Sequence, residues 1–160
     1  MQFITSGMTR FVILTDRYAI KIARIKIFHC IKKTLEIVGK GQAHAKLATY
    51  RATRGGVKGV LYQFLCSGIE ANFYEHRRTT KYPRCKLVPT LKTFGYFINV
   101  QKRGDTKRVK NIDDHPVAKA AKNHWECKIE LDAAQFCYIG EELLLADYGY
   151  PKLEPILASI

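Results

Sequence analysis

A chain of 160 residues, 47% of them hydrophobic, is sized for one domain around one core of ordinary density. Lys and Arg outnumber Asp and Glu by 27 to 14, and the net charge of +13 favours phosphates, acidic headgroups or acidic proteins as partners without specifying a fold. Apolar runs such as Leu143-Leu144-Leu145-Ala146 are far short of the ~20 residues of a membrane-spanning helix, which excludes a span, and MQFITSGMTRFVIL lacks the pattern of a secretory signal.

Along the chain, residues 11–14 (Phe-Val-Ile-Leu) and 18–23 (Tyr-Ala-Ile-Lys-Ile-Ala) are β-favouring runs joined by Thr15-Asp16-Arg17, the length of a hairpin turn. From Lys21 to Lys58 there are ten Lys or Arg and one acid, Glu36. Ala43, Ala45, Ala48 and Ala52 give its latter half a helical character that Gly55-Gly56 should stop, so a basic helical insertion is expected at about 24–58. Leu61, Phe64, Leu65, Gly68, Ile69, Asn72 and Phe73 then recur at the spacing of one helix face, predicting a helix that ends before Pro83. Strands are expected at 86–88 and 96–100 with Gly95 in the turn region between them, followed by the basic connector KRGDTKRVK at 102–110. Pro116 suits a helix start, with Val117 to Trp125 continuing it. A turn at Gly140 and a strand from Leu143 to Ala146 lead into Asp147-Tyr148-Gly149. The mixture predicts an α+β fold.

Three positions carry chemistry. Lys21 lies on one face of its strand with Ala19 and Ala23, where it either meets a specific partner or snorkels into water. On the helix from Leu61, Glu75 falls near the centre of the apolar stripe, whereas Glu70 lies almost opposite and should face solvent. An inward carboxylate requires a cation, and Lys21 is an economical one. Asp147, at a strand end before a glycine, is placed as metal-binding carboxylates often are. Gln135 lies twelve residues before it and Glu130 five earlier still, the acid-to-amide interval of a kinase catalytic loop.

These residues resemble protein kinases. Tyr18-Ala19-Ile20-Lys21 is similar to the strand motif bearing the phosphate-binding lysine, Glu75 to the glutamate of helix C, and Asp147-Tyr148-Gly149 to the Asp-Phe-Gly motif. The segment Ser67 to Pro89 also resembles short kinase-like proteins of bacteria and their phages. The resemblance implies a kinase-like antiparallel sheet plus helix C as an N-lobe over 1–101, and a much reduced helical C-lobe over 102–160. It also implies ATP and Mg²⁺ as cofactors. Lys21 would contact the phosphates, Glu75 would hold Lys21, Asp147 would bind metal with Gln135 as a second metal contact, and Glu130 or Asp132 would serve the acceptor hydroxyl.

The departures are specific. Lys128-Ile129-Glu130 stands where kinases have an arginine and an aspartate, and Asp132 is only three residues before Gln135. The glycine-rich loop is reduced to Gly7, so Thr9 and Arg10 would have to compensate at the phosphates. Eleven residues after Gly149 cannot make an activation segment and a full peptide-docking lobe. An ATP-dependent phosphotransferase therefore competes with a pseudokinase acting as a binding or regulatory protein. From another class comes nucleic-acid binding, through Lys21 to Lys58, His76-Arg77-Arg78 and the connector, with nine tyrosines for stacking. The expected partner is an acidic or phosphorylated macromolecule, whether a protein substrate, a protein partner or a nucleic acid. Cys30, Cys66, Cys85, Cys127 and Cys137 contain no C-x-x-C pair and suit free thiols in a reducing, cytoplasmic setting, while His124, Cys127 and Cys137 are poorly spaced for zinc.

Overall fold

The computed structural model describes residues 2–4, 9–40, 56–124 and 129–160. Within them the chain is mixed α+β. Strands β1 (Gln2–Ile4), β2 (Arg10–Leu14), β3 (Tyr18–Ala23), β4 (Thr90–Phe94) and β5 (Ile98–Lys102) form an antiparallel sheet in the order β1-β2-β3-β5-β4. Strands β6 (Phe136–Ile139) and β7 (Glu142–Leu145) form a separate antiparallel pair. The helices are α1 (Ile27–Lys40), α2 (Gly56–Leu61), α3 (Ser67–Lys81), α4 (Pro116–Asn123) and α5 (Glu154–Ala158).

The β2–β3 hairpin forms where the sequence places it, and Thr15 closes the turn by accepting the Tyr18 amide on its hydroxyl at 3.0 Å. The three-residue β4–β5 connection, 95–97, places Gly95 (φ 54°) and Tyr96 (φ 60°) in the left-handed region, and the Phe97 amide closes the turn by donating to the Phe94 carbonyl at 3.0 Å. Because Tyr96 belongs to the turn, the strand expected at 96–100 begins instead at Ile98. The strand expected at 86–88 is corrected: Lys86 is left-handed (φ 49°), and Leu87 makes only a single parallel bridge, to Leu145. Leu145 donates to the Lys86 carbonyl at 2.9 Å and accepts from Val88 at 3.0 Å, so the segment clips the end of β7 while the true strand starts at Thr90.

Helix α1 lies inside the expected basic insertion. The helix expected around 43–52 falls outside the described residues, as do Gly7, Trp125, Cys127 and Lys128. Gly56 is the first residue of α2, while Gly55 and the helix expected before it lie outside the described residues. A π-helical turn over Tyr62–Cys66 connects α2 to α3, so the helical path runs on to Lys81, before Pro83 as the sequence requires. Ser67, Gly68, Ala71, Asn72, Glu75 and Arg78 are the buried face of α3, and their three-or-four spacing is that of one stripe. At Gly68 an added Cβ would collide with the Thr9 carbonyl and come within 3.0 Å of the Ala23 Cα, so only glycine lets α3 approach β3 this closely.

The larger core gathers Val117 from α4, Ile156 from α5, and Phe136 and Leu145 from the β6–β7 pair, together with Leu87 and Leu153 from the connecting segments. At its edge His115 caps α4: its Nδ1 accepts the Val117 amide at 3.2 Å, and its Nε2 lies 3.2 Å from the Lys86 carbonyl. Both contacts require the neutral ring with its proton on Nε2, and burial pushes the imidazole down to about 4. The unfolded chain takes up a proton near the ordinary value of about 6.5 and the folded ring does not. Stability contributed by His115 is therefore complete above that value and lost as pH falls toward 4. Unfolding free energy should drop by roughly 1 kcal/mol per pH unit over this window. His115→Asn, which retains a capping oxygen, should flatten that part of the profile in urea melts. Among the described residues no helix is long and apolar enough to cross a membrane.

Candidate functional site

The register of the hairpin builds one face. Arg10 pairs with Ala23, Val12 with Lys21 and Leu14 with Ala19, so these six side chains share one side of the sheet. Helix α3 packs against β3 and brings Glu75, fully buried, to the same place. The Lys21 Nζ lies 2.8 Å from Glu75 Oε1 and donates to the Ala146 carbonyl at 2.6 Å. Lys21 and Glu75 thus meet as the helix face requires.

Glu70 is half-buried rather than in water. Five residues separate it from Glu75, which is about 140° around an α-helix and not a full half-turn.

Arg10 completes the cluster in a way that strand periodicity did not announce. Its Nη1 lies 2.7 Å from Glu75 Oε2 and its Nη2 2.5 Å from Asp147 Oδ1, with Asn72 Oδ1 at 3.4 Å from Nη1. Glu75 therefore has a cation on each oxygen, and Gln101 Nε2 adds a longer contact at 3.4 Å. Burial pushes the Lys21 ammonium below its ordinary value, with Glu75 opposing the shift. Burial pulls Arg10 the same way, but Glu75 and Asp147 together outweigh it and hold its pKa above the usual value.

A cleft of about 800 Å³ opens beside this cluster. Val12, Leu14 and Ala19 line it from the sheet, Val88 and Cys137 from the other side, and residues 101–107 along one edge. Lys21, Arg10, Thr9 and Asp147 form its polar end. The connector is pinned: Asp105 and Tyr138 exchange backbone bonds at 2.9 and 3.0 Å, and Arg103 donates to the Arg17 carbonyl at 2.9 Å. At Gly104 an added Cβ would lie 2.7 Å from the Cys137 Cβ, so the connector is seated directly on β6.

Asp147 leaves the end of β7 with its side chain 55% exposed, while Tyr148 behind it is buried. The Tyr148 hydroxyl donates to the Val88 carbonyl at 2.5 Å and lies 3.1 Å from Gln101 Nε2. Gly149 is there for close approach, since an added Cβ would lie 2.6 Å from the Ala71 carbonyl on α3. The backbone carbonyl of Gln135 accepts from Ala146 at 2.8 Å and from Asp147 at 3.2 Å, fixing the main chain beneath the carboxylate.

The Gln135 side chain is turned elsewhere. Its Oε1 accepts the Asp132 amide at 3.0 Å while Asp132 Oδ1 accepts from Ala134 at 2.8 Å, a reciprocal cap on a short 3₁₀ turn. Glu130 is exposed. The described residues lining the cleft include Ala134 but not Glu130, Asp132 or Gln135. A divalent ion is poorly served: the guanidinium of Arg10 stands on Asp147 Oδ1, and the amide oxygen of Gln135 is engaged. Among the described residues no three His, Cys, Asp or Glu side chains gather as a metal site, and although a nucleotide's Mg²⁺ needs only one or two carboxylates beside the phosphates, it would have to displace Arg10 from Asp147. With Arg10 in place the residues present do not fit Mg²⁺.

Sequence reasoning missed Arg78 as a structural residue, placing it with His76 and Arg77 in a basic surface. It is buried, and donates to the carbonyls of Tyr148, Tyr150 and Pro151 as well as to Glu154. Its position three residues after Glu75 was the available signal. Lys21 is likewise withdrawn from the surface, whereas Lys102, Arg103, Lys107, Arg108 and Lys110 are exposed. Comparison with known proteins returned no match among protein-family models, curated proteins or solved structures.

Proposed function

We propose that this chain is a kinase-like nucleotide-binding protein that takes ATP in the cleft beside Lys21 and acts through binding, as a pseudokinase does. The observation that carries this reading is the buried Lys21–Glu75 pair at the polar end of a cleft of nucleotide size. An ammonium has three N–H bonds, and Lys21 directs two of them to Glu75 and Ala146, so one remains for a phosphate oxygen. Val12, Ala19 and Cys137 offer a purine ring apolar surfaces, and the pinned connector keeps the space between them open. Glu75 positions Lys21 and need not touch the ligand.

Phosphoryl transfer, the activity the resemblance implies most directly, has less support. It needs a carboxylate at the acceptor hydroxyl. Glu130 and Asp132 lie off the cleft, and Asp132 caps a turn. The net charge of +13 supports an acidic partner for the outer surface.

Thermal-shift titration tests the reading. ATP at a hundred times its Kd should raise Tm by about 5–10 °C for a chain of this size. Lys21→Met should abolish the rise, and Glu130→Gln and Asp132→Asn should retain it. No rise with the wild type would remove the nucleotide reading. Incorporation of labelled γ-phosphate into the protein or an added substrate, abolished by Glu130→Gln or Asp132→Asn, would restore the phosphotransferase.

A further inference from the structure

Arg10 lies at the spot where a metal-binding reading of Asp147 needs a cation. Its guanidinium is 6% exposed, bridges Glu75 and Asp147 at 2.7 and 2.5 Å, and lines the cleft with Lys21. The cluster holds two cations, Lys21 and Arg10, and two carboxylates, Glu75 and Asp147, so it is neutral without any ion from solution. Mg²⁺ demands several oxygens in near-octahedral array at about 2.1 Å and would have to displace the guanidinium from Asp147. The magnesium complex of a triphosphate would then bring about two fewer negative charges to Arg10 and Lys21 than the free triphosphate does, and it would leave Arg10 without its Asp147 partner. Phosphate oxygens entering from the cleft meet the opposite situation, because they can take Nη2 from Asp147, whose side chain is half in water and can be solvated there.

On the nucleotide-binding reading above, we infer that the cleft takes its nucleotide free of divalent metal, with Arg10 serving the phosphates in the metal's place and Asp147 competing with them for that guanidinium. Arg10 is thus a specificity-determining residue that selects the uncomplexed nucleoside triphosphate over its magnesium complex. Asp147 acts as a gate on Arg10 and does not serve as a metal ligand.

The test is calorimetric titration of ATP into the full chain, in EDTA and in excess Mg²⁺ at matched ionic strength. Affinity should be at least as high in EDTA as in Mg²⁺. Asp147→Asn, a half-exposed position whose replacement keeps the side chain's size, should bind ATP in EDTA more tightly by about threefold or more, because the competing negative charge is gone. Weaker binding in EDTA than in Mg²⁺ would overturn metal-free recognition while leaving the nucleotide reading intact. An affinity that is unchanged or reduced in Asp147→Asn would overturn the gating role of Asp147. Failure to bind ATP under either condition would overturn both this inference and the reading on which it rests.

Discussion

Replacing Glu75 with alanine should destabilise the protein by about 3–5 kcal/mol, read from urea denaturation at neutral pH. The carboxylate is fully buried between Arg10 and Lys21, and its loss leaves two cations facing one another with Asp147 as the remaining acid. Lys21→Met should cost less, since Glu75 would keep Arg10. The combination Arg10→Met, Lys21→Met, Glu75→Leu should recover much of the loss, because apolar groups of similar size avoid the desolvation of the ions. A Glu75→Ala variant within about 1 kcal/mol of wild type would mean that the cluster contributes little, as an exposed pair would.

The second large effect is expected at Arg78. Its guanidinium is 1% exposed, stacks 4.5 Å from the Tyr74 ring, and binds Glu154 at 2.9 Å and the carbonyls of Tyr148, Tyr150 and Pro151 at 2.5, 2.7 and 3.2 Å. Arg78→Met strands three carbonyls and should also cost about 3–5 kcal/mol. Arg78→Lys should rescue little, since a point charge cannot serve four acceptors arrayed around a planar fork. Hydrogen exchange offers a local readout, with protection lost first in residues 148–157. Partial burial would raise the Glu154 carboxyl, but hydrogen bonds from Lys81, Tyr82 and Arg78 hold it down to about 2. Its stabilisation is present above its ordinary value of 4.5 and fades as pH falls toward 2, so Arg78→Met should narrow that acid-sensitive window. Native-like exchange in 148–157 would show that α5 docks without the arginine.

What the sequence revealed follows the range over which each signal acts. The β2–β3 hairpin was legible because two β-branched runs and a three-residue polar turn are local facts. The Lys21–Glu75 pair was legible through a longer argument, in which helical period turned one carboxylate inward and the price of burying it demanded a cation. Arg10 was named only as a phosphate contact, because its bridge depends on the end of β7, far along the chain. Arg78 was misread as surface charge through its neighbours in sequence, although its spacing from Glu75 put it on the buried stripe. At 86–88 a short apolar run signalled extended backbone but not its partner, and the pairing went to Leu145 instead of an adjacent strand. The kinase resemblance carried Asp147 and Gln135 as a metal pair, and side-chain geometry that no spacing encodes separates them.

Arg10 and Asp147 stand 137 residues apart in the chain, and Arg78 waits for acceptors 70 to 73 residues downstream. During synthesis the hairpin bearing Arg10 and Lys21 emerges long before the carboxylate of Asp147 and the carbonyl of Ala146, while β5, which must pair beside β3, follows β4. Loops of this length close slowly, and contacts formed across them reward the chain only at the end. A chain truncated after Lys102 would hold the strands of the larger sheet and α3 but none of the acceptors for Arg78, leaving a guanidinium that must stay hydrated. Residues 146–154 thus act as a latch on Arg10, Lys21 and Arg78, and a chain truncated before them should yield a species recognised by proteases despite possessing every described strand of the larger sheet.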